Sequence, residues 1–138
     1  MDKLNKMDQQ IIEVAVLQPL GDRILDAPLH KIDISAFLKQ IKKDKSWKDN
    51  DRNALTILKT SSMRIVLYAI RKGAEMSKQK KEGKITVEVL EGKMQFTSIG
   101  QSVKLGKRQM LVLDESAAYS LQAKRKTFFL LTFTKVSV

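Results

Sequence analysis

No cysteine occurs in this 138-residue chain, so neither a disulfide framework nor a thiolate metal site can be built from it. Histidine is almost as scarce, His30 being the single example. A catalytic Fe, Mn, Ni or Zn centre made of several neutral imidazoles and a carboxylate is therefore beyond the chain's own means. A lone histidine just ahead of a helix is read as structural or surface. Glycine and proline are few, six and two, so turns stand out clearly and no repeat or low-complexity tract interrupts them. Long apolar runs are missing as well. The N-terminal MDKLNKMDQQIIEVAVLQPL carries Asp2, Asp8 and Glu13, and its apolar run of about seven residues is short of a signal peptide or a membrane span. With no cysteine to oxidise and no span to insert, a cytoplasmic location without membrane contact is expected.

What remains is enough for one core: 43% of the residues are hydrophobic, and a chain of this length can bury them without staples. Charge is uneven. Residues 1–60 hold eleven basic and nine acidic side chains, residues 61–138 fifteen and six, within a net charge of +11. Such an excess bears on solubility and anionic partners rather than on fold.

After Pro28, Ile34, Phe37, Leu38 and Ile41 fall on one helical stripe, with Asp33 placed to cap it and Lys42, Lys43 and Lys45 at the favourable C-terminal end. The spacing predicts a helix over about 33–45, with Trp47 packing its end onto the rest of the domain. From Asn53 onward short β-branched runs replace it: 55–60, 63–70, 84–92, 93–99, 101–106, 109–115, 119–123 and 127–136. Eight strands at such spacing predict an all-β sandwich or barrel. Glu91-Gly92 and Ile99-Gly100 read as tight hairpin turns. In KITVEVL, Ile85, Val87 and Val89 share the inward face and Thr86 and Glu88 the other.

QQIIEVAVLQPL fits a strand or a helix, and the alternation of Ile12, Val14 and Val16 favours a strand; such a strand either covers an open edge of its own sheet or adds to a neighbouring subunit, the second being the expectation. The organisation predicted is an N-terminal extension over 1–27 in a dimer contact, followed by one barrel domain over 28–138 with its lead-in helix.

The segments 51–73, VLEGKMQFT (89–97), VKLGKRQMLVLDESAAYS (103–120) and FFLLTF (128–133), in that order and spacing, resemble the small single-domain cupins, also called RmlC-like proteins. The helix from Asp33 with its DKSWKDNDRNAL continuation resembles the lead-in of one subgroup. What the resemblance implies is a jelly-roll barrel, over about three quarters of the chain. The first motif of metal-bearing cupins is bounded by two glycines, which match Gly73 and Gly92. Counting from each end puts Gln79 and Lys81 at the positions of the two histidines and Ile85 at that of the glutamate. The second motif falls on Arg108, Asp114, Ser116, Tyr119 and Ala123, with Tyr119 at its histidine. None of the four usual metal ligands is kept, and no metal or other cofactor is expected.

On that alignment Gln79, Lys81, Ile85 and Tyr119 gather at the mouth of the barrel, where Arg64 is expected to join them. An amide, a phenol and cations suit a small polar or anionic ligand. Three functions follow: a non-catalytic binding or structural module, an enzyme working through Lys81 and Tyr119 without metal, and binding of nucleic acid or anionic surfaces through the basic second half. The module ranks first. Lys81 has no evident catalytic partner, and the lysines lack the interleaved aromatics that stack on bases.

Overall fold

The computed structural model describes residues 27–79 and 83–135. The strand expected around Ile12–Val16 and the residue Lys81 lie outside them. Among the described residues, helix α1 (Ile34–Lys43) precedes nine strands: β1 (Arg52–Lys59), β2 (Met63–Ile70), β3 (Glu75–Lys78), β4 (Lys84–Glu91), β5 (Lys93–Ser98), β6 (Gln101–Gly106), β7 (Met110–Leu113), β8 (Tyr119–Ala123) and β9 (Thr127–Thr134). They form a five-stranded sheet in the order β1-β2-β9-β4-β7 and a four-stranded sheet in the order β3-β8-β5-β6. Every pairing is antiparallel, as expected of an all-β jelly roll.

Two apolar clusters follow from the period of two along each strand. Between the sheets lie Val87 and Val89 from β4, Phe129 and Leu131 from β9, Met94 and Phe96 from β5 and Leu121 from β8. The alternate residues of β2 and β9, namely Leu67, Ala69, Phe128 and Leu130, turn to the outer face of the larger sheet. There they meet Phe37 and Ile41 of α1, which are fully buried. A ten-residue helix is too short to hold in water by itself, so its stability comes from this docking, at about 2 kcal/mol for each large apolar side chain buried.

The Asp33 side chain caps α1 by accepting from the Ala36 amide at 3.2 Å. The helix stops at Lys43, two residues before the expected end, because Asp44 turns extended and accepts from the Ser46 amide. Ile34, at the near end of the predicted stripe, is 37% exposed. Trp47 packs where expected: its indole donates to the Asp44 carbonyl at 2.9 Å, and the Arg71 guanidinium lies over its ring at 4.4 Å.

Two features depart from the sequence reading. Strand β3 was not expected, and Glu91-Gly92 is not a hairpin turn, since β4 and β5 belong to different sheets. Gly92, at φ +102°, is instead a corner at which the chain crosses the barrel wall. The Ile99-Gly100 hairpin does form: both residues have positive φ, 47° and 74°, and Ser98 pairs with Gln101 across the turn. Arg108 keeps a left-handed backbone, φ +69°, where the family pattern has a glycine. No helix among the described residues is long and apolar enough to cross a membrane.

Candidate functional site at the barrel mouth

The β-alternation that builds the core also sets what its open end presents. On β2, Arg64 falls on the face of Tyr68 and Ile70, which pack into the inter-sheet core. On β9, Phe133 follows Phe129 and Leu131 inward. Register brings these ends together: Arg64 stands opposite Phe133, Phe133 opposite Ile85, Ile85 opposite Leu113, and Lys78 opposite Tyr119 in the other sheet. The strand ends enclose a cavity of about 280 Å³.

Of the residues singled out from sequence, Arg64, Gln79, Ile85 and Tyr119 all line this cavity. Ile85 and Tyr119 are buried, and Arg64 and Gln79 are exposed at its rim. His30 does not line it, and neither of its ring nitrogens has a hydrogen-bond partner. The sequence reading missed Lys78, a half-buried lysine on the unexpected strand β3. It also missed the apolar wall of Leu113 and Phe133 and the β1–β2 turn, where the Thr60 hydroxyl accepts from the Ser62 and Met63 amides. Alternation would have found one of these: Phe133 is two residues beyond Leu131, whereas Lys78 follows Met76 inward only through the pairing of β3 with β8.

Among the described residues of the wall, five side chains are cationic (Lys59, Arg64, Lys78, Lys84 and Lys135) and one is acidic, Glu115. Lys84 pairs with Asp114 at 2.7 Å. Tyr119 lines the cavity next to Lys78, its cross-strand partner. Its ring stacks on Phe96 with centroids 5.2 Å apart. It is 6% exposed, and its hydroxyl, though shielded from solvent, has no hydrogen-bond partner. A buried hydroxyl left unpaired costs about 1–3 kcal/mol, and in a native fold it calls for an explanation.

Burial, and after it the neighbouring Tyr68, push the Tyr119 phenol well above its ordinary value of 10.0. Burial also raises Tyr68, with Arg64 and Arg52 acting against the rise. Tyr119 is therefore a neutral donor at physiological pH. In the unfolded chain the phenol loses its proton near pH 10, while in the fold it keeps it. The native state thus binds more protons above that pH, and stability falls as pH rises through this window. Tyr119→Phe is expected to flatten that fall. Urea midpoints from about pH 9 to 11 with the same slope in both proteins would refute it.

A resident transition metal is a poor match for this wall. Among the described residues no group of three or more histidine, aspartate or glutamate side chains comes together. The cavity offers in their place an amide, a phenol and ammonium or guanidinium groups, which do not make a catalytic Fe, Mn, Ni or Zn site.

An antiparallel two-sheet barrel with its lining gathered at one end defines the protein's class: it has the cupin, or RmlC-like, fold. Solved structures agree. The chain is similar to a cupin superfamily protein from Desulfitobacterium hafniense, at 15% identity over 83% of this chain and 99% of that one, TM-score 0.64. It is also similar to a cupin 2 conserved barrel domain protein from Leptotrichia buccalis, at 16% identity over 83% of this chain and 52% of that one, TM-score 0.66. A third, an RmlC-like cupin protein from Desulfovibrio desulfuricans, matches at 20% identity over 67% and 90%, TM-score 0.58. No protein-family model matches the sequence, and no curated protein matches it significantly. Likeness at such identities speaks for the fold, and function has to be argued from the site.

Proposed function

We propose that this chain is a metal-free cupin module that binds a small polar or anionic ligand in the barrel mouth and performs no chemistry on it. The observation that carries this reading is the cavity itself, walled by Ile85, Leu113 and Phe133 and bordered, among the described residues, by five cationic side chains against one acid. The cationic side chains supply the charge that draws an anion in, and the apolar wall gives it a surface to pack on. A phenol held neutral by burial donates hydrogen bonds but is a weak base or nucleophile, which favours binding over catalysis.

The test is a melting-temperature screen with small carboxylates, inorganic phosphate and polyols. At a hundredfold excess over Kd a ligand specific for the native state stabilises it by about 2.7 kcal/mol, a rise of roughly 10 °C for a chain of this size. The rise is expected to be the same with and without a chelator. A melting temperature that drops on chelation, or one Fe, Mn, Ni or Zn per purified chain, would overturn the metal-free reading.

The partner we propose is a second copy of the chain. Met110 and Val112, at 55% and 56% exposure, put an apolar pair on edge strand β7, a place where an unprotected sheet invites pairing. Sedimentation is expected to give a dimer. A monomer over the whole accessible concentration range would refute it.

A further inference from the structure

We propose that the outer face of the four-stranded sheet, at the end of the barrel away from the cavity, binds the phosphate backbone of double-stranded nucleic acid without reading its sequence. This surface shares no residue with the barrel mouth, and the two readings stand or fall separately.

The turns that close this end, 71–73, 107–108 and 124–126, together with Lys93 hold eight of the fifteen basic residues of 61–138 and no acid. Backbone pairing sets four of them in a row. The Gly73 amide donates to the Ala123 carbonyl at 2.9 Å and the Lys124 amide to the Lys93 carbonyl at 2.8 Å, while Lys93 pairs with Gly106. Lys72, Lys124, Lys93 and Lys107 therefore follow the strand order β3-β8-β5-β6, and at about 4.8 Å per strand the row is ~14 Å long. Met94 and Ala123, which pair, are buried between the sheets, so Lys93 and Lys124, one position along, face outward. All four lysines are exposed, and among the described residues no acid forms a salt bridge with any of them.

Beside the row, Gln95, Gln122, Thr97, Ser120 and Ser77 line a groove on the same face, with Glu75 at its edge strand. Lysines flanked by amides and hydroxyls are the set that holds phosphate oxygens. A duplex carries one phosphate per ~1.7 Å of its axis, so a row of this length meets several at once. The aromatic side chains of these strands, Phe96 and Tyr119, turn into the core. A single strand would find nothing outside to stack its bases on, whereas a duplex keeps its bases within and offers phosphates. The outward residues are polar throughout, which leaves an anionic membrane no apolar group to take up.

The experiment is fluorescence anisotropy of the full chain with two labelled duplexes of unrelated sequence, each of about 20 base pairs, from about 50 to about 200 mM salt. Both are expected to bind equally, and four phosphate contacts give log K a slope of about −3.6 against log salt. Lys93→Gln combined with Lys124→Gln is expected to reduce that slope by about two and to weaken binding about tenfold or more at the low-salt end. Lys31→Gln combined with Lys39→Gln removes the same charge from exposed positions at α1, across the larger sheet, and is expected to change neither. Equal weakening by the two pairs would reduce the effect to net charge and overturn the proposal. Absence of binding at about 50 mM salt, tighter binding of the matching single strand, or a clear preference for one duplex would overturn it too. Vesicles of phosphatidylcholine and phosphatidylserine in equal parts are run alongside: if they bind through Lys93 and Lys124 and the duplexes do not, the partner is an anionic membrane and the inference is wrong.

Discussion

Phe129→Ala is expected to lower the unfolding free energy by about 3–5 kcal/mol, the largest loss from any single side-chain truncation in the barrel. Phe129 is fully buried at the centre of the inter-sheet core. It stands opposite Tyr68 on β2 and Val89 on β4, so the void would open where three strands of the larger sheet meet. Its ring also stacks on Tyr68, centroids 5.2 Å apart, and such a pair contributes about 0.5–1.5 kcal/mol beyond the area it buries. Neighbouring side chains on paired strands cannot collapse into the gap without shifting the sheet, which places the cost in the upper half of the range. Against a total stability of about 5–15 kcal/mol, the variant should show a much lower urea midpoint at an unchanged m-value. A loss below about 1 kcal/mol would mean that the inter-sheet core is packed differently.

Much of this architecture is legible in the sequence, and the reasons for the exceptions are physical. β2, β6 and β8 begin and end where the pattern of residues puts them: β6 and β8 alternate apolar and polar positions, and β2 is a continuous apolar run buried on both faces. β3 was missed because Glu-Met-Ser-Lys contains no β-branched or aromatic residue and buries only Met76. Four residues of that kind become a strand through pairing with β8, a tertiary cause that no local window carries. Lys78 was lost with β3, and the cavity wall gained a cation that the sequence reading had not placed. Gly92 was misread for a related reason. Positive φ between two strand patterns looks the same whether the chain folds back on its own sheet or turns a corner into another, and only the partners of β4 and β5 tell the two apart.

The candidate site was legible in a different way. The inward positions of Ile85 and Phe133 follow from alternation alone. Gln79 and Tyr119 came from the spacing of a family motif whose ligands are missing. Both kinds of argument lead to one cavity, though they rest on different physics: the first on the pleat of a strand, the second on glycines that hold a loop in place. The unpartnered state of the Tyr119 hydroxyl could not be read from either. It depends on which neighbours surround the ring, and these come from both sheets.

Gly92→Ala is the substitution expected to show that the corner into β5 is fixed by sterics as well as by backbone preference. At φ +102° an alanine is already strained. A Cβ at this position would run into the Lys126 carbonyl oxygen and would come within 2.5 Å of the Thr127 hydroxyl and 2.6 Å of its Cα. None of these atoms can give way cheaply. Thr127 is fully buried, and its hydroxyl accepts from the Lys93 amide at 3.1 Å while lying 2.7 Å from the Arg125 carbonyl that can take its proton. Moving it would break the hydrogen bonds that join the start of β5 to the start of β9. The expected loss is about 3 kcal/mol or more, from backbone strain, overpacking and lost hydrogen bonds together. Gly100→Ala is the control: it also has positive φ, 74°, but an added Cβ there meets nothing within 4 Å, so strain alone of about 1–2 kcal/mol should remain. Urea denaturation of the two variants side by side decides the matter, and equal losses would show that the corner has room to relax.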